Sequence, residues 1–332
     1  MLQRFDHCPF TLDLQEQRLR PARKLSEAGI SCMIYGEDTL AFAHFVPTLQ
    51  FGLHIVVADA NKDVAAAVIA DAFHLKPYTG GEDNYHESIF ADPNRPLIYP
   101  DSVHLETTPV SPFNDPYMIL IHPQSLFNVV VDDYSRSTPL PPFPNNIRFP
   151  TLPAFLDSMY DTLLDPNSGH CSRRGGEALT IWIGYIFDYK LRQDPLLLPN
   201  GDLAPNVAKL KSSLRLENQQ PFELWVRRKF SYKTAFDIRR DVLRKMGRSD
   251  LADRPVPTHV PGNQAYMDER VKALKAQAAA RLAKEKKGAT DRFSRAPSQR
   301  FARALGTHTP HSRLASPFTR RLLAAATRLI RK

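Results

Sequence analysis

PTLQFGLHIVVAD spans residues 47–59. Pro47 ends the segment before it. Ile55-Val56-Val57 is a β-branched run, the pattern of a strand buried on both faces. Gly52 and His54 lie two residues apart at the head of that run. Side chains alternate along a strand, so these two positions share one face. A strand over Leu53–Val57 is expected. Asp59 or Asn61 is placed to cap a helix over Val64–Phe73, in which Val64, Ala67 and Val68 recur at helical spacing.

Working upstream, Pro21 suits a first helical turn, Leu25 and Ala28 follow on one face, and Gly29 supplies the stop. The pattern predicts a helix over 20–28, then a strand over Ile30–Tyr35 that ends at Gly36. Glu37-Asp38 opens another helix through Phe45, with acids at its positive end. Downstream, 76–101 is polar and rich in turn formers. Val103–Thr107, Tyr117–Ile121 and Phe127–Val131 read as strands. Residues 138–153 hold six prolines, which argues against a continuous helix or a central strand there. Helices are expected over Leu152–Leu164, Glu177–Leu191 and about 221–246. Arg227, Arg228, Lys229, Arg239 and Arg240 interrupt the apolar pattern of the last, as a solvated helix face would.

Helix, short strand ending in glycine, helix, strand, helix, then a strand bearing an acid is a recognisable order. Over about residues 14–110 the chain resembles the nucleotidyltransferase-fold superfamily, including uncharacterised fungal members with a degenerate active site. The resemblance implies an α/β fold: a mixed sheet with flanking helices, joined here to a helical C-terminal region and a basic tail. In the family a glycine closes the first strand, where the backbone approaches the phosphates. Tyr35-Gly36-Glu37 stands there, so the resemblance makes Gly36 and Glu37 the nucleotide-binding candidates. A DxD pair on the next strand and a third acid on a later one hold two divalent cations against the triphosphate. Here the DxD positions are Gly52 and His54, and Glu106 stands where the third carboxylate is sought. Glycine offers no ligand, and Mg2+ prefers oxygen donors. No metal and no cofactor are expected on this reading. The chain is read as a non-catalytic binding or regulatory protein. The alternative is a divergent Mg2+-dependent nucleotidyltransferase built on Glu37, Asp38 and Glu106.

Other constellations are weaker. Histidines 44, 54, 74, 86, 104 and 122 stand mostly among apolar neighbours without HxH or HExxH spacing, as packed or surface histidines do. Glu82-Asp83 with His86-Glu87 reads as an acidic loop, Asp132-Asp133 as a solvated turn, and Ser172–Gly176 as a turn before a helix. No GxSxG, P-loop or GxGxxG occurs. Cys8, Cys32 and Cys171 form no metal or disulfide spacing, which fits reduced thiols in an intracellular, cytoplasmic or nuclear protein.

Charge divides the chain. Residues 251–332 carry 18 Lys/Arg against 5 Asp/Glu, a net of +13, and the remainder carries 26 against 30, a net of −4. The pattern gives a nucleotidyltransferase-like part over 1–137, a proline-rich connector over 138–153, a helical region over 154–252, and a linker with a basic, partly disordered tail over 253–332. Met267–Lys287 and SPFTRRLLAAATRLIRK at 316–332 are amphipathic helix candidates. Residues 263–332 are the expected contact for RNA or an anionic membrane. An unidentified protein partner and weak nucleotide binding complete the expected partners.

Overall fold

The computed structural model describes residues 6–78, 99, 101–108, 115–165, 174–191 and 195–254. All lie in the first of the chain's two units, 1–270. The basic tail and its amphipathic segments, Cys171, and the acidic loop at 82–87 fall outside the described residues. No helix among those described is long and apolar enough to cross a membrane.

The fold is mixed α/β. Two short helices, α1 (Leu12–Arg18) and α2 (Arg20–Glu27), lead into β1 (Cys32–Tyr35). Next come α3 (Gly36–Phe42), β2 (Leu53–Val57) and α4 (Lys62–Phe73). Strands β3 (Lys76–Pro77), β4 (Val103–Glu106), β5 (Met118–Pro123), β6 (Ser137–Pro139) and β7 (Ile147–Pro150) complete a seven-stranded sheet of order β3-β4-β5-β2-β1-β7-β6. The pairs β2–β5 and β1–β7 are parallel, and the others antiparallel. The expected strands at Leu53–Val57, Ile30–Tyr35 and Val103–Thr107 thus share one sheet, with β5 inserted between β2 and β4.

Alternation sorts the strand residues. Cys32, Ile34, Leu53, Ile55, Val57, Ile119 and Ile121 face a core shared with Leu25 of α2 and Ile69 of α4. Met33, Tyr35, Val56, Met118 and Leu120 face the opposite core. That second core is completed by α5 (Leu152–Leu163), α6 (Arg174–Tyr185, continued by a π-helical turn over Ile186–Leu191), α7 (Pro205–Ser212), α8 (Leu216–Val226) and α9 (Tyr232–Lys245). Burying both faces explains the uninterrupted apolar run in β2.

Three elements depart from the sequence expectation. Residues 127–131 are not a strand. Gln124–Phe127 forms a 3-10 turn, Asn128 takes φ of 53°, and the Gln124 side chain accepts from the Val131 N–H at 3.0 Å. Asparagine tolerates that left-handed backbone, which ends strand geometry. The proline-rich stretch does supply an interior strand, because β7 lies between β1 and β6. Pro144 stands in the preceding turn and Pro150 at the strand's end, while Pro139 ends β6 and Pro153 lies in the first turn of α5. Ile147 and Arg148 pair with Cys32 and Met33 between them. The long helix at 221–246 is two helices. Arg228 at φ 57° stops α8, and the Ser231 hydroxyl caps α9 by accepting from the Thr234 N–H at 3.2 Å.

Buried charge fastens the helical part to itself and to the segment that leads into β6. Asp157 and Asp161, one turn apart on α5, face inward. Asp157 accepts from Arg136 (2.6 Å), the Arg215 backbone N–H (3.0 Å) and Asn218 (3.0 Å). Asp161 accepts from Arg215, Asn218 and Arg239, the last at 3.0 Å. Arg239 is therefore a buried ion-pair partner and not part of a solvated face. Arg227 pairs along α8 with Glu223 at 2.6 Å.

Candidate functional site

Gly36 ends β1 at φ 67° and opens α3, bringing Glu37 and Asp38 into the first turn of that helix. Tyr35 pairs with His54 across the antiparallel β1–β2 ladder, so Gly36 lies beside the head of β2. A Cβ at Gly36 would sit 3.0 Å from the His54 ring and 3.1 Å from the Trp182 indole. The strand-ending glycine is thus covered by a ring from β2 and a ring from α6. A Cβ at Gly52 would come within 2.5 Å of a Leu120 methyl group and 3.8 Å of His54 Nε2. Gly36 and Gly52 therefore flank the same histidine.

The carboxylates have separate fates. Asp38 is fully buried and joined to Arg18, whose side chain is equally buried. Arg18 Nη2 donates to Asp38 at 3.1 Å and to the carbonyl of Gly52 at 3.1 Å, tying α1 to α3 and to the head of β2. Burial pushes the Asp38 carboxyl up, against the lowering pull of Arg18. Glu37 accepts a hydrogen bond from Trp182 Nε1 at 3.0 Å, and its second oxygen is buried without a hydrogen-bond donor. Burial raises its pKa to about 7, although the hydrogen bonds it accepts pull the other way. Glu106 is exposed on β4, beyond β5 from His54. Glu37 and Asp38 lie together, and Glu106 does not join them in one ligand set.

Histidine fills the space that remains. His54 Nε2 faces Glu37 Oε2 across 3.6 Å. His54 Nδ1 lies 3.0 Å from Nε2 of His122 on β5, and His122 Nδ1 lies 2.7 Å from the Ser102 hydroxyl just before β4. The two imidazoles stack at 15°, with the Tyr99 ring edge-on to both. Trp182 stands at 85° to His54 and 70° to Tyr35. His104 points to the same face of the sheet. Burial lowers its pKa to about 4, and neither of its ring nitrogens has a hydrogen-bond partner. Ser102 and Tyr99 were not singled out from sequence, and His122 was read only as one of several packed or surface histidines. The pairing of β2 with β5, which brings His54 to His122, is a long-range fact.

The two-cation site implied by the family resemblance does not fit these residues. Gly52 has no side-chain donor atom, and its carbonyl accepts from Arg18. Asp38 is engaged by an arginine, and burial raises the Glu37 pKa to about 7, which makes its ionised form costly to bury. Among the described residues no group of three or more His, Cys, Asp or Glu is placed to hold a metal ion. Two hard cations need several convergent oxygens. Asp132 and Asp133 form the solvated turn expected of them, with Ser135 donating to Asp133.

Comparison with protein-family models, with curated proteins and with solved structures finds no match to this chain.

Proposed function

We propose that the chain is a non-catalytic binding or regulatory protein built on a nucleotidyltransferase-like scaffold. One observation carries the reading: the Trp182 indole lies against Gly36 and donates to Glu37. A side chain of the protein's own helical part takes the place where a phosphate would approach the strand-ending glycine. Among the described residues, Asp38 is taken up by Arg18 and Glu106 stands beyond β5, apart from Glu37, which supports the same reading. Calorimetric titration with ATP, GTP, CTP and UTP tests it. Binding is expected to be weak and unchanged by Mg2+. Tight binding that requires Mg2+ would favour the divergent enzyme on Glu37, Asp38 and Glu106.

The partner is expected to be an RNA or an anionic membrane surface met by residues 263–332. Support comes from the charge division, +13 in residues 251–332 against −4 in the rest. Full-length protein is expected to bind RNA or anionic vesicles, and a 1–262 protein to lose that binding. RNA affinity falls steeply with salt as counterions are released. Membrane affinity falls less, because burial of Phe318, Leu322 and Leu329 adds an apolar contribution that salt does not screen. Equal binding by both proteins would place the contact elsewhere. An intracellular location, cytoplasmic or nuclear, accords with this reading.

A further inference from the structure

The turn between α8 and α9 reads Arg227-Arg228-Lys229-Phe230-Ser231-Tyr232. Cations stand four, three and two residues ahead of an exposed serine, and an aromatic residue follows it. We propose that Ser231 is a phosphorylation site for a serine/threonine protein kinase of the basophilic class. Such kinases hold their substrates in an acidic cleft, where an arginine three residues before the acceptor makes charge-assisted hydrogen bonds to carboxylates. The inference goes beyond the binding reading and stands whether or not the chain binds RNA or a nucleotide.

The fold leaves the recognition residues available. Arg228, Lys229, Ser231 and Lys233 are all exposed. Arg228, Lys229 and Lys233 make no ion pair among the described residues. Arg227 differs, donating to Glu223 at 2.6 Å and to the Gly201 carbonyl at 3.0 Å. Arg228 takes φ of 57° and closes α8, and Ser231 is extended at φ −136° and ψ 146°. Among the described residues no backbone hydrogen bond holds the N–H of Phe230 or Ser231. Two anchors flank the serine. The Phe230 ring packs 4.8 Å from Trp225, and the Tyr232 hydroxyl lies 2.8 Å from that of Thr180. Entry into a kinase cleft therefore opens this turn and the start of α9, where a helix is least held because its leading N–H groups have no intrahelical partner.

In the transfer, a bond forms between Ser231 Oγ and the γ-phosphorus of ATP as the bond from that phosphorus to ADP breaks. The hydroxyl proton passes to the kinase's base and ADP leaves. Unmodified, Ser231 Oγ accepts from the Thr234 N–H at 3.2 Å and donates to Thr234 Oγ1 at 2.8 Å. Phosphorylation ends that donation, because the oxygen loses its proton, and the Thr234 hydroxyl can donate to a phosphate oxygen instead. The new group carries about −1.5 to −2 charges at neutral pH. It stands at the positive end of a helix, in a turn that holds Arg228, Lys229 and Lys233. Glu223, the last acid of α8, is taken up by Lys211 and Arg227, and Asp237 lies beyond the first turn of α9. The phosphate therefore strengthens the cap, and it moves the turn from cationic toward neutral.

The test incubates the folded full-length chain with the catalytic subunit of cyclic-AMP-dependent protein kinase, Mg2+ and γ-labelled ATP. Labelled residues are mapped by mass spectrometry, which separates Ser231 from serines elsewhere in the chain. Ser231 is expected to take the label. Arg228→Asn removes the cation but keeps a residue that tolerates the left-handed backbone. It is expected to slow labelling of Ser231 about tenfold or more, as a charge-assisted contact with the kinase is lost. Amide exchange in the first turn of α9 is expected to slow about two- to fivefold once Ser231 is phosphorylated. An unlabelled Ser231, or one labelled only after the chain is unfolded, would overturn the proposal. So would a Ser231 rate that Arg228→Asn leaves unchanged, or first-turn amides that exchange faster after phosphorylation. Should Arg228→Asn fail to fold, Lys229→Gln and the mapped label on the unaltered chain decide the matter.

Discussion

Replacing Arg18 with methionine is expected to lower the unfolding free energy by about 3–5 kcal/mol. Both members of the Arg18–Asp38 pair are wholly inaccessible to solvent. Removing the guanidinium leaves a buried carboxylate without its cation and frees the carbonyls of Phe51 and Gly52 that it also binds. Asp38 then folds at least cost with a proton on it. Its folded pKa rises further, so the loss grows as pH rises above the ordinary carboxylate range and shrinks in acid. Urea unfolding at two pH values measures this. The double variant Arg18→Met with Asp38→Leu removes both charges and is expected to recover much of the loss. A loss below about 1 kcal/mol for the single variant would mean that the pair is not buried as described.

Trp182→Ala is expected to cost about 3–5 kcal/mol. The indole is 2% exposed and packs against Gly36, His54 and Tyr35. Truncation opens a cavity beside the Tyr35 and His54 rings, which their other ring neighbours hold in place, and it takes the N–H donor from Glu37. Trp182→Phe separates the two contributions. It keeps part of the ring packing and loses the hydrogen bond, for a smaller cost of about 1–3 kcal/mol. Equal costs for the two variants would assign the effect to the hydrogen bond rather than to packing. A near-neutral Trp182→Ala would remove the seal over Gly36 on which the functional reading stands.

Local signals carried the fold where residues declare themselves. The β-branched run at 55–57 marks a strand buried on two faces, and Gly29 and Gly36 bracket β1 with left-handed backbone. Pro21 and Gly29 bound α2. The same signals misled where a non-local pairing overrode them. Prolines argued against a strand at 147–150, yet Ile147 and Arg148 reach β1 between Pro144 and Pro150. Val129–Val131 looks like a strand until Asn128 turns the chain. The site was half legible. Gly52 and His54 could be placed on one strand face from alternation, and Gly36 near Gly52 at one sheet end from topology. The role of Asp38 depended on an arginine 20 residues earlier, and that of Glu37 on a tryptophan 145 residues later. Such separations leave no trace in spacing.

The proposed reading is that the protein itself occupies the ground over Gly36 and that no transfer chemistry takes place there. Incubation with α-phosphate-labelled ATP, GTP, CTP or UTP, Mg2+ and RNA or protein acceptors tests it most directly. The expected result is no label on any acceptor and none on the chain, with Mg2+ present or absent. Mg2+-dependent label transfer that disappears in Glu37→Gln would contradict the account and establish a divergent enzyme in its place.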